Sequence, residues 1–333
     1  MSEEIKNINL FETDGEWIYL VPIKNLKLTK FVNKEIKIDR VTFIEKNKLF
    51  RTRKKFSIYK KFSEFRSVLF NDFFEYDTYA IMHFTGKPKN NENYCIRTIN
   101  RELALLTFSQ LGFSKRRFYS SPIIANASTI GMIRNIYINN KLEVNFERGF
   151  LKGKYSKLIL DYNWKKYIGR TFLILIKIIQ CRIELNSSWR KKIIKSAILI
   201  GQSLCSIEIH KSFLWNCIAL EILLVEQNDN TQKALVERIE SFIGWIYKWQ
   251  TLKYESRLKE VYKKRCAFVH RGRFENITIS DVLFIDDILF DVFRNILEHI
   301  ELFPDKKSII DFSEKVKAQH LLGIKTSIKT QNI

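Results

Sequence analysis

Hydrophobic residues change their spacing part-way along this 333-residue chain. Up to about residue 95 they come in short runs rich in β-branched and aromatic side chains: "WIYLVPI" at 17–23, "KIDRVTFI" at 37–44 and "YAIMHF" at 79–84. Runs of that length and composition predict strands, and "TGKPKNN" (85–91) predicts a turn cluster after the third. Between 97 and 112, Ile99, Leu103, Leu106 and Phe108 supply much of the apolar surface of a predicted helix stopped by Gly112. "SPIIANASTIGMIRNIYINN" and "LEVNFERG", between 121 and 149, return to a strand-like texture. From about residue 155 the period is helical, over 157–184, 187–208, 211–226, 231–248, 252–271 and 278–302. Candidate N-caps are Ser187, Asn230 or Thr231, and Thr278 or Ser280, and Pro304 follows the last helix.

These patterns predict an α+β chain. A mixed α/β domain over 1–150 is followed by an all-α bundle over 155–303, and 304–333 read as a polar C-terminal tail with room for one short helix. No period of 20–50 residues appears, so a repeat architecture is not expected.

Composition supports packed cores: 46% of residues are hydrophobic and 14% aromatic. Only 11 Gly and 4 Pro are present, which suits long helices better than a turn-rich sandwich. The net charge of +21 changes the picture further. Residues 1–150 hold 26 basic and 16 acidic side chains and 151–333 hold 31 and 20, so the halves carry +10 and +11. A field spread over both halves attracts polyanions, RNA among them. The basic clusters "RTRKKFSIYKKF" (51–62) and "SKRRFY" (114–119) interleave cations with aromatic rings, which suits single-stranded nucleic acid and equally suits a charged edge strand.

Five widely spaced cysteines form no CxxC pair, which argues against a disulfide framework and a cysteine zinc site. Cys181, Cys205 and Cys217 lie among apolar neighbours and read as small core residues. "MSEEIKNINL" has no apolar leader run, and "TFLILIKIIQC" (171–181) is too short to span a bilayer. The expectation is a cytoplasmic protein with no membrane partner.

Two charges interrupt apolar helix faces. Arg265 is flanked at i−4, i−3, i+3 and i+4 by Val261, Tyr262, Phe268 and Val269; Glu221 is flanked by Cys217, Ile218, Leu224 and Val225. A lone charge on such a face is costly and a paired one tolerable, so Glu221 and Arg265 are expected to meet. His270 lies in the last turn before Gly272, a natural helix stop. An imidazole near an Arg suits acid–base chemistry on a phosphate, and Lys263, Lys264, Arg271 and Arg273 are candidates for flanking phosphates. Arg and His at this spacing recur at Arg294 and His299, where the amphipathic helix reads as ordinary surface. No phosphate-binding glycine loop, HExxH, GxSxG or spaced carboxylate set is present. The expectation is therefore no metal and no cofactor.

"FLWNCIALEILLVE", "VERIESFIGWI" and "LKEVYKKRCAFVHRGR", in that order, resemble the Apea-like HEPN family. Its W-x-x-x-A-L-E-x-L pattern falls on Trp215, Ala219, Leu220, Glu221 and Leu223, and its later Arg and Val-His-x-Gly fall on Arg265, Val269, His270 and Gly272. The resemblance is strongest over 211–273. It implies a HEPN-type helical bundle and a dimeric, metal-independent RNA endonuclease used in antiviral defence or as a toxin. It also implies catalytic roles for Arg265 and His270, with Glu221 orienting the Arg, and a setting that includes an antitoxin or a phage-derived trigger. One departure is Cys266, where the family commonly has Asn, Asp or His; a thiol is a weaker hydrogen-bond donor. A non-catalytic RNA-binding or scaffolding module is the alternative.

Overall fold

The computed structural model describes residues 14–51, 76–111, 122–124, 133–138, 144–148, 157–206, 208–243 and 253–323. Apart from Arg51, the basic clusters at 51–62 and 114–119 lie outside them, as do Gly112 and residues 244–248 of the expected 231–248 helix. The chain divides into two compact units, Met1–Leu103 with Tyr119–Lys165 and Ala104–Phe118 with Lys166–Ile333. The division thus falls at 165–166 rather than at 150–155, and the described residues 104–111 group with the helical unit.

The first unit is built on strands β1 (Glu16–Lys24), β2 (Leu26–Leu28), β3 (Glu35–Lys37), β4 (Val41–Glu45), β5 (Thr78–Thr85) and β6 (Ile123–Ile124). Five of them form an antiparallel sheet in the order β3-β4-β5-β1-β6. In register, Leu20 faces Ile81 and Ile44 faces Tyr79. Ile44, Tyr79 and Ile81 form a core cluster with Leu49 of helix α1 (Lys46–Arg51). The run "KIDRVTFI", expected as one strand, breaks at 38–40 into the turn between β3 and β4. Glu102, wholly buried, holds that turn: its carboxylate accepts from the amides of Asp39, Arg40 and Val41 at 3.2, 3.0 and 3.2 Å. Glu102 sits on helix α2 (Pro88–Phe108), which starts nine residues before the expected 97. Pro88 is its first residue, where a missing N–H costs nothing and the fixed φ favours the helix. A further hairpin joins β7 (Ile133–Ile138) to β8 (Val144–Arg148). Residues 158–160, expected as helix, form β9 (Leu158–Leu160), parallel to β2.

The first unit ends with the short α3 (Tyr162–Trp164). The second unit is helical: a π-helical turn (Lys165–Gly169) leads into α4 (Arg170–Ile179). Then come α5 (Ser187–Cys205), α6 (Ile209–Leu224), α7 (Thr231–Ile243), α8 (Tyr254–Arg271), α9 (Ile279–Glu298) and α10 (Lys306–Leu321). The N-cap of α5 is Asn186, one residue before the expected Ser187; Thr278 caps α9 in a reciprocal box with Asp281. Cys217 is buried as expected, but Cys205 is partly exposed, and Cys181 is exposed with φ 57° just beyond α4. No helix among the described residues is long and apolar enough to cross a membrane.

Helix α6 is the centre of this unit, touching α5, α7, α8, α9 and α10. Small buried residues on α5 (Ser196, Ala197, Gly201 and Ser203) let neighbours approach closely. Ser203 and Ser212 exchange hydroxyl-to-carbonyl bonds between α5 and α6 at 3.0 and 2.9 Å. A Cβ on Gly201 would stand 1.8 Å from the Ala104 carbonyl oxygen. The polar C-terminal segment, read with room for one short helix, carries the 16-residue α10, whose buried Lys306 donates to the Ile222 and Val225 carbonyls at the C-terminal end of α6. Burial, aided by the like charge of Lys192, pushes the Lys306 ammonium down to about 8.

Two outcomes follow for stability. Gly201→Ala loses about 2 kcal/mol or more in urea unfolding, because two backbones must separate. For Lys306, between pH about 8 and 10 the unfolded chain keeps a proton that the native chain has released, so stability rises with pH in that window and is flat below it. The stability difference between the parent and Lys306→Met therefore grows by roughly 2 kcal/mol by pH 10. A pH-independent difference in urea midpoints rules this out.

Candidate functional site

Helix α8 supplies most of the sequence-predicted site residues, and its own core is thin. Among its side chains only Leu258 and Val261 are buried. The apolar stripe around Arg265 holds through Val261 and the partly buried Phe268, but Val269 is 47% exposed, so the stripe ends before the last turn. Charge completes what apolar burial leaves undone. Arg265 Nη2 lies 2.7 Å from Glu221 Oε2 on α6, with 17% and 18% of the side chains exposed, so the expected pairing is present. The guanidinium also sits 5.6 Å from the Tyr262 ring centre, one turn back. Burial pushes the Glu221 carboxyl above its ordinary range despite the guanidinium beside it. Glu221 Oε1 and Arg265 Nε are buried with no hydrogen-bond partner among the described residues.

Asp281, missed in the sequence, is the second anchor. It is fully buried at the start of α9 and accepts from Arg257 at 2.6 Å and from Lys264 at 3.1 and 3.0 Å, as well as from the Thr278 amide and hydroxyl. Burial pushes its carboxyl up, but the Thr278 amide and the Lys264 ammonium outweigh this and hold it below the usual carboxylate range. Lys264, expected to bind phosphate, thus spends its charge on Asp281 and on Glu260 at 3.2 Å. Lys263, Arg271 and Arg273 are exposed. The signal for Asp281 was the Thr-x-x-Asp box itself, which reads as a cap before it reads as an ion-pair acceptor.

His270 is exposed in the last turn of α8, and no hydrogen bond, ion pair or ring contact joins its side chain to another described residue. The helix ends there because Gly272 takes φ +64° and its amide, with that of Arg273, caps the carbonyls of Phe268 and Ala267. Arg265 points inward to Glu221 while His270, five residues on, is displaced roughly 140° around the helix axis. Glu221 and Arg265 are brought together; Arg265 and His270 are not. Burial also pushes the Cys217 thiol up, one turn before Glu221 on α6. Asn216 on α6, within the apolar helix pattern, donates to Asp286 of α9 at 2.6 Å, a buried polar link whose signal was an Asn amid apolar residues. Arg294, read as ordinary helix surface, pairs with Glu298 at 3.0 Å and lines a largely apolar pocket of about 490 Å³ with Phe108, Phe172 and Phe293.

Among the described residues no three His, Cys, Asp or Glu side chains are grouped as they are around a metal ion. No family model, curated protein or solved structure matches this chain.

Arg265→Met leaves Glu221 half-buried and unpaired. It lowers stability by about 2 kcal/mol, less than for a fully buried pair because both side chains keep some exposure. Adding Glu221→Leu recovers at least half of that loss, and a double-mutant cycle by chemical denaturation gives a coupling of about 1 kcal/mol or more. Additive losses show instead that the two side chains act independently.

Proposed function

We propose that this chain is a metal-independent RNA endonuclease of the HEPN type, acting as a dimer in antiviral defence or as a toxin. The observation that carries the reading is the Arg265–Glu221 ion pair at 2.7 Å, on the helix whose last turn carries the exposed His270, five residues on. The segments that supply it are the ones that resemble the family. In this reading the RNA 2′-OH attacks the adjacent phosphorus and gives its proton to His270. A bond from O2′ to phosphorus forms, the bond from phosphorus to O5′ breaks, and O5′ takes a proton from the second copy's His270. Arg265 stabilises the negative charge that builds on the phosphoryl oxygens, and Glu221 fixes its orientation. The products are a 2′,3′-cyclic phosphate and a 5′-OH.

Because Arg265 and His270 diverge on one helix, this reading requires a dimer, in which Arg265 of one copy and His270 of the other share a phosphate. In the same reading an antitoxin or a phage-derived trigger controls the cleft. A second reading, a non-catalytic RNA-binding module, is favoured by Cys266 and by the commitment of Arg265 to Glu221, which competes with a phosphate for the guanidinium.

RNA incubated with the protein in EDTA distinguishes the two. Cleavage persists in EDTA, falls at least a hundredfold in both Arg265→Ala and His270→Ala, and is unchanged in Arg294→Ala. Expression of the active chain slows host growth more than expression of His270→Ala. RNA binding with no cleavage in any arm supports the module, and EDTA-sensitive cleavage sinks the mechanism.

A further inference from the structure

Next to His270 lies a cluster that the proposed chemistry leaves unused. His210, in the first turn of α6, faces Phe274, in the loop just past Gly272, with ring centres 4.9 Å apart and planes 32° apart. Phe268 of α8 meets both edge-on, 5.9 Å from His210 and 5.9 Å from Phe274. The cluster is held from beneath: Phe268 is partly buried, and the His210 Nε2 is 3.1 Å from Glu208. It is open from above, since Phe274 keeps 45% of its surface exposed. A phenyl ring in a loop, tilted 32° from an imidazole and open to solvent, presents a further face on which a flat group can stack.

The surrounding charge selects the class of flat group. Arg271 and Arg273 are exposed in the same turn, within three residues of Phe274. Of the acidic neighbours, Glu208 is engaged by Lys211 at 2.6 Å as well as by His210, which leaves the exposed Glu275 as the opposing charge. Cations beside an open aromatic face are the recognition chemistry of single-stranded nucleic acid: rings stack bases and guanidinium groups follow the backbone.

We infer that His210, Phe268 and Phe274 form a stacking subsite for one unpaired RNA base, with the adjoining phosphates on Arg271 and Arg273. The inference rests on the RNA reading above and adds the part of the substrate that is recognised: a base out of its duplex, next to the turn that carries His270. The subsite therefore selects single strands and loops, because a paired base has no free face to offer.

The test uses the full chain and an uncleavable single-stranded 2′-O-methyl RNA dodecamer, so binding is read apart from cleavage. Phe274→Ala weakens binding about tenfold, with an unchanged urea midpoint and an unchanged salt slope, since phosphate contacts remain. Phe274→Trp restores affinity, and its fluorescence is quenched by the single strand but not by the duplex of the same sequence. Binding of Phe274→Ala within twofold of the parent overturns the subsite while leaving the RNA reading standing. A shift of Phe274→Ala in monomer–dimer equilibrium with unchanged RNA affinity assigns the surface to a second copy of the chain, which also overturns it. If the parent binds no RNA at all, the RNA reading and the subsite fall together.

Discussion

Helix α8 is placed by charge more than by oil. Two buried apolar side chains, Leu258 and Val261, contribute about 1.5–3 kcal/mol each, little against the entropy of ordering an 18-residue helix. What fixes its height and rotation is a set of ion pairs to defined points on its neighbours: Arg265 to Glu221 on α6, and Arg257 and Lys264 to Asp281 at the head of α9. Pairs of this kind add little net stability, because desolvation offsets attraction, but a wrong register leaves a buried carboxylate without its partner, and that is expensive. Asp281 carries the strictest demand, since it is fully buried and also caps α9. The position of the whole C-terminal turn of α8, with His270, Arg271 and Arg273, follows from these contacts.

The same pairs sort the cations of α8 into two groups. Arg257, Lys259, Lys264 and Arg265 each have a carboxylate partner, and Lys263, Arg271 and Arg273 face solvent. Two of the outward cations sit at or just past the helix C-terminus, where the backbone dipole favours positive charge. A count of basic residues in "KKRCAFVHRGR" cannot separate these groups, because Lys263 and Lys264 are adjacent and differ only in which side of the helix they occupy. That 100° step turns one toward Asp281 and the other toward water.

What was legible in the sequence was local and periodic. Strands β1 and β5 announced themselves as β-branched runs, and α5 to α9 followed from apolar spacing, with the N-caps named for α5 and α9 right to within a residue. The Glu221–Arg265 pair was legible because each charge broke an apolar face, and a buried charge needs a partner wherever it is. The misses share a different physics. "LIL" at 158–160 fits a helix or a strand equally well; its partner Leu26–Leu28 lies some 130 residues away, beyond any local signal. The turn at 38–40 depends on Glu102, some 60 residues further along the chain. Helix α10 looked like a tail because its inner face is sparse, and one of its anchors is a lysine aimed at carbonyls rather than an apolar side chain. The His210 cluster had no local signal, since it joins the start of one helix to the loop after another.

The electrostatic balance at Arg265 bears directly on what the proposed site can do. An Arg–Glu pair is neutral as a unit, so it offers a phosphodiester no net attraction at long range. Long-range attraction must come from the outward cations and the +21 field. At contact the balance differs. Glu221 engages the guanidinium through a single oxygen, while Arg265 Nε and Glu221 Oε1 stay without hydrogen-bond partners among the described residues. A guanidinium has five N–H donors, so one bond to Glu221 does not exhaust it. A phosphoryl oxygen that gains charge in the transition state draws on those remaining donors more strongly than a ground-state phosphate does. The Glu221 contact, by holding the group in place beforehand, removes the reorganisation that would otherwise accompany that gain. An arginine half-withdrawn into a bundle is therefore a poor device for capturing RNA and a suitable one for discriminating a transition state from a substrate. In the proposed reading, capture then falls to the exposed turn around Phe274, and transition-state stabilisation to Arg265 held by Glu221.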